Sequence, residues 1–100
     1  MTAIVFAEAE ADLEEAFDFY QKRQRDLGLE FLDEFRRGVA RILANPNAWQ
    51  TLTDTYRRYR LHRFPYGIVY RPTSESNQIL IVAIMHLSQK PGFWRGRDSQ

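Results

Sequence analysis

The stretch ILIVAIMHLSQKPGFW, residues 79–94, decides how the rest of the chain is read. Ile79 to His86 reads as a strand in which every residue but the last is apolar. Period-two alternation puts Ile79, Ile81, Ala83 and Met85 on one face and Leu80, Val82, Ile84 and His86 on the other. A sheet covered by helices on one side only shows a polar second face. Two apolar faces require two coverings. Phe93 and Trp94, close behind the strand, are one candidate for the second covering, and a partner protein is the other. The strand also ends on a titratable group, His86.

Working outward, TAIVF at residues 2–6 is short, β-branched and aromatic, and reads as a strand. From Ala7 the period changes. Ala9, Leu13, Ala16, Phe17 and Tyr20 recur at spacings of three and four, which predicts a helix over 8–24 with Gly28 as its stop. Glu8, Glu10 and Asp12 sit at its positive end, and Lys22, Arg23 and Arg25 near its negative end. Phe31, Leu32, Phe35, Val39, Ile42 and Leu43 form the stripe of a second helix over 29–44, ended by Asn45-Pro46. So short a connection predicts an antiparallel helix hairpin. PNAWQTLTDT, residues 46–55, reads as a loop whose Trp49 and Leu52 tuck against the helices. Strands follow at 57–63, 67–71 and 78–86, separated by a turn at Phe64-Pro65-Tyr66-Gly67 and by Pro72-TSESNQ. The element order β-α-α-β-β-β predicts an α+β fold: a helix hairpin on one face of a mostly antiparallel four-stranded sheet. Periodicity does not place the first strand within that sheet.

One hundred residues make one domain, 1–100, with a short tail from about residue 95 and disorder expected only at the last few positions. No apolar run reaches the ~18 residues of a membrane span, and no basic segment followed by an apolar one opens the chain. The absence of cysteine excludes disulfides and thiolate metal sites, and a cytoplasmic protein is the simplest reading. The net charge of +1 hides an asymmetry. Residues 7–34 carry ten acids and three bases (−7), and the remainder three acids and eleven bases (+8). Either the two halves neutralise each other, or the second half faces something acidic.

Two histidines, His62 and His86, with no acids beside them make a poor metal site, and no phosphate-binding glycine loop is present. No cofactor is expected. What survives is metal-free phosphodiester chemistry, which needs a base, a cation and an acid; His86, His62, Arg60, Arg71 and Tyr70 supply those types. The alternative for His86 is a strand-end residue bonded to backbone. Arg58, Arg60 and His62 alternate on one strand face with Arg71 nearby, either as a cationic stripe for phosphates or carboxylates or as the wet side of an edge strand.

The order of elements, with AEADLEEAFDFY, GLEFLDEFRRGVARILANP, RRYRLHRFPYGIVYR and IVAIMHLSQKPGFWRGR, resembles the RelE/ParE superfamily of toxins from bacterial type II toxin–antitoxin modules. The resemblance runs from about Ile4 to Arg97, and the FPYGIVYR hairpin sets it closer to the ParE-like branch. It implies a toxin that inhibits DNA gyrase and forms a hetero-oligomer with a cognate antitoxin. A RelE-like endoribonuclease cutting mRNA in the ribosome is the alternative, and an inactive antitoxin-binding member the third. If the chain is a nuclease, His86 is the implied catalytic group, with Arg60 and Arg71 on the phosphate. The implied antitoxin surface, suited to an acidic amphipathic segment, comprises Arg58, Arg60, His62, Arg71, Leu80, Val82 and Ile84.

Overall fold

The structure, a computed structural model, describes residues 1–90 and 92–98. Pro91 of the KPGFW motif, and Ser99 and Gln100, where disorder was expected, lie outside the described residues. Strand β1 (Thr2–Val5) leads into helices α1 (Ala7–Arg23) and α2 (Leu27–Ala44). Strands β2 (Gln50–Thr51), β3 (Arg57–Arg60), β4 (Tyr66–Pro72) and β5 (Gln78–His86) complete the chain. The sheet order is β1-β5-β4-β3-β2, with β1 parallel to β5 and every other pair antiparallel.

The α+β class and the helix pair on one face agree with the sequence. The expected four strands become five in a mixed sheet, because Gln50-Thr51, read as loop, pairs with Arg58 and Arg57. Two residues are too few for a period to show. The strand expected over 57–63 stops at Arg60, where the chain turns back towards β4. Gly28 does not stop α1 either. The break comes at Gln24 to Asp26, with Asp26 left-handed at φ 66°. Gly28 lies inside α2, its N–H donating to Gln21 Oε1 at 2.9 Å, where a Cβ would meet the Phe17 carbonyl oxygen at 2.7 Å. Its missing side chain lets the two helices touch.

Ala9, Ala16, Phe31, Phe35 and Ile42 from the helices bury against Tyr59, Ile68, Tyr70, Ile79, Ile81 and Ile84 of the sheet. The far face has a second core of Val69, Val82, Ala83 and Met85. Its covering is the chain's own: Trp94, only 1% exposed, with Leu52 and Tyr56 from the segment before β3. The tail expected from about residue 95 folds back as far as Asp98. There Asp98 Oδ2 accepts from Arg71 Nε at 2.8 Å and from the Tyr56 hydroxyl at 3.0 Å.

Strict alternation along β5 fails at one point. Val69 pairs with Ala83 but Tyr70 pairs with Ile81, so Val82 is an extra, bulged residue. Val82 and Ala83 both join the far core, and the phase then reverses, which carries Ile84 to the helix side and Met85 to the far side. At the same place β5 loses its other neighbour, since β1 pairing ends at Val5 opposite Ile81. Asp12 of α1 fills the gap: its Oδ2 accepts the Ile84 N–H at 3.1 Å. Arg97 completes the patch, donating to the Val82 carbonyl at 3.0 Å and to both Asp12 oxygens at 2.6 and 3.1 Å.

Three measurements probe this arrangement. Trp94→Ala loses a buried indole, and chemical denaturation is expected to show a loss of ~3–5 kcal/mol. Asp12→Ala leaves the Ile84 N–H unpaired and the Arg97 guanidinium without its carboxylate in a largely buried place, for an expected loss of about 3 kcal/mol. The Tyr70 hydroxyl, wholly buried, donates to the Pro46 carbonyl at 2.5 Å, and burial pushes its pKa up to about 12. The unfolded chain gives up this proton near pH ~10, before the folded chain does. Stability from this group is therefore complete below pH ~10 and falls as pH rises towards ~12, by roughly 2 kcal/mol. Urea midpoints measured across that range are expected to fall less steeply in Tyr70→Phe.

Candidate functional site

His86 ends β5 as a cap on the turn that follows. Its Nδ1 accepts the Ser88 N–H at 3.0 Å and lies 2.7 Å from the Ser88 hydroxyl, while its backbone N–H donates to Gln89 Oε1. Because Nδ1 accepts from backbone, the neutral ring carries its proton on Nε2. The Tyr66 ring meets the imidazole edge-on at 5.0 Å.

Arg60 shares this end of the sheet: it pairs with Gly67, which pairs with Met85. Its side chain is exposed. Arg71 does not share it. Arg71 pairs with Leu80, six residues along β5 from His86, which sets the two groups on the order of 20 Å apart. The Arg71 guanidinium is also occupied by the buried Asp98 carboxylate. The ion pair holds Arg71 above its ordinary pKa, and burial beside Asp98 raises the Tyr56 phenol. His86, Arg60 and Arg71 therefore do not converge on one phosphate.

Since Tyr59 faces the helices, Arg58 and Arg60 point to the far face, as the sequence implied. Arg58 lays its stem over Gly67, where a Cβ would meet its Cγ and Cδ at 2.8 Å, and its Nη2 donates to Gln50 Oε1 at 2.8 Å. Burial first, then the charge of Arg60, lowers its pKa. His62 leaves this stripe. Beyond the end of β3 it turns to the helix side, where it stacks on Tyr59 and meets Arg41 of α2. Of the apolar surface residues expected, Leu80 is half-buried, whereas Val82 lies under Trp94 and Ile84 in the helix-side core. The bulge and the folded tail account for both corrections.

Sequence reasoning missed the Arg71–Asp98–Tyr56 and Asp12–Arg97 pairs, which join residues 27 to 85 positions apart. Asp12 carried a signal, but as a helix-terminus acid among several. The cleft beside Tyr56, of about 570 Å³, is lined by Thr53, Asp54, Thr55, Arg71, Arg95 and Asp98. Among the described residues no three of His, Asp and Glu stand together in a way that would hold a metal ion. None of the described helices is long and apolar enough to cross a membrane.

No curated protein matches the chain. A solved structure described as the chromosomal ParDE TA system from P. aeruginosa superposes with a TM-score of 0.74 at 22% identity, covering 86% of this chain and 95% of that one. At that identity the likeness is one of fold. The family model for the ParE toxin of the type II toxin–antitoxin system parDE matches residues 4–91, nearly the whole of the folded sequence, and the chain belongs to that family of toxins.

Proposed function

We propose that this toxin inhibits DNA gyrase in the cytoplasm by protein–protein contact and is held silent by a cognate antitoxin. Membership of the ParE toxin family over residues 4–91 is the observation that carries this reading. The separation of His86 from Arg71, and the use of Arg71 by Asp98, favour it over phosphodiester cleavage. His86 acts as a strand-end cap, with bonds that hold a turn.

The antitoxin contact uses the cationic far-face edge of Arg58 and Arg60 together with the half-buried Leu80. Val82, already covered by Trp94, supports that surface from beneath, whereas Ile84 faces the helices and takes no part in it. An acidic, partly disordered segment with a few apolar anchors matches that surface, and the anchors carry most of the affinity.

Expression without antitoxin, followed by assays of gyrase supercoiling and of mRNA integrity, tests the reading. Growth arrest with supercoiling blocked and mRNA intact is expected. His86→Ala is expected to stay folded and toxic, losing ~1 kcal/mol from the turn. A nuclease would lose roughly a hundredfold or more in cleavage from the same change. A folded His86→Ala protein that binds antitoxin yet leaves cells growing, with the wild type cleaving mRNA, sinks the gyrase reading.

A further inference from the structure

The second half of α2 and the turn after β3 border an open cavity of about 190 Å³, lined by Glu34, Arg37, Arg41, Tyr59, His62 and Arg63, of which Arg37, Arg41, His62 and Arg63 are exposed. Arg41 Nη1 stands 3.1 Å from the Tyr59 hydroxyl oxygen and 3.1 Å from His62 Nε2. A guanidinium only donates, so His62 accepts at Nε2 and the neutral ring carries its proton on Nδ1. Tyr59 is buried and fixed between the Trp49 ring, edge-on at 4.8 Å, and the His62 ring, stacked at 6.4 Å. Its own hydroxyl proton has no acceptor among the described residues, and neither have Nε and Nη2 of Arg41.

The charges around the cavity cancel unevenly. Arg37 pairs with Asp33 on α2, and Arg63 pairs with Glu30 at 2.7 Å. Glu34 Oε1 accepts the Arg63 backbone N–H at 2.8 Å. Arg41 is left with no carboxylate within ion-pair distance among the described residues. With His62 neutral, Arg41 and Glu34 balance; with His62 protonated, the cavity gains one positive charge.

We infer that this cavity binds a tetrahedral oxyanion of the phosphate class, gripped by Arg41, Tyr59 and a protonated His62. The number of donors decides the class. A carboxylate's two oxygens are satisfied by one guanidinium fork, whereas a tetrahedral anion uses the fork and still offers oxygens to a phenol and an imidazolium on other sides. Binding takes up a proton. Once charged, His62 can no longer accept from Arg41, and the anion bridges the two cations in place of that bond. Glu34 on the cavity wall opposes the anion, so occupancy depends on that proton. The site lies on the helix side, apart from the far-face arginines assigned to the antitoxin, and does not rest on the gyrase reading.

The test is an NMR titration of the full chain with inorganic sulfate, whose charge is constant between about pH 6 and about pH 8. Saturable shifts of the His62 ring, tighter at the lower pH, are expected, with inorganic phosphate competing at the same site. Arg41→Gln is expected to weaken binding ~10-fold or more, and Tyr59→Phe, which keeps the ring packing, several-fold. Competition by a short DNA duplex names a backbone phosphodiester as the source, and its failure to compete names a free oxyanion. Ring shifts no larger than those produced by chloride at equal ionic strength overturn the proposal, as does an unchanged response in both folded variants.

Discussion

The Asp12 carboxylate holds the molecule together at the place where β5 loses the neighbour it has in β1. β1 leaves the sheet opposite Ile81, and the bulge at Val82 breaks the regular ladder just beyond. An exposed N–H and carbonyl at that depth would each cost a lost hydrogen bond. Asp12 and Arg97 stand in for the missing strand with one acceptor and one donor. A side chain from α1 and one from the tail are thereby locked to β5 and to each other. Helix α1, strand β5 and the tail are joined at one point. The same pair positions Trp94, three residues before Arg97, over the far core.

The charge split follows from this geometry. α1 packs over β5, with most of its acids exposed to solvent, and Asp12 alone among them turns inward to an ion pair. Most of the arginines gather at the opposite edge, on α2, β2-facing β3 and the turn after it. Among the described residues only three ion pairs join the two halves, Asp12–Arg97, Arg63–Glu30 and the one-turn pair Arg37–Asp33. A molecule with separated poles orients its partners by their charge before contact. Both the proposed antitoxin contact on the far face and the proposed anion site on the helix face draw on that basic edge.

Sheet register also separates residue types that look catalytic together in the sequence. Arg71 and His86 are fifteen positions apart along the chain, which says nothing of their distance. Antiparallel pairing of β4 with β5 sends them to opposite ends of the same ladder. His62 is rotated away by the end of β3 and meets Arg41 and Tyr59, residues no motif had joined to it.

The sequence by itself determined the helices, four of the five strands and the need for two coverings on residues 79–86, because amphipathic periods and apolar runs are local. It also carried the family, since the order of elements and the FPYGIVYR hairpin lie along the chain. Tertiary structure alone decided the rest. The parallel place of β1 beside β5, the two-residue β2, and the choice of tail over partner as the second covering all rest on contacts between residues far apart in sequence. The bulge at Val82 is of the same kind: each residue of an apolar run suits either face equally, so only the packing of Trp94 and the bonds of Asp12 and Arg97 select the phase.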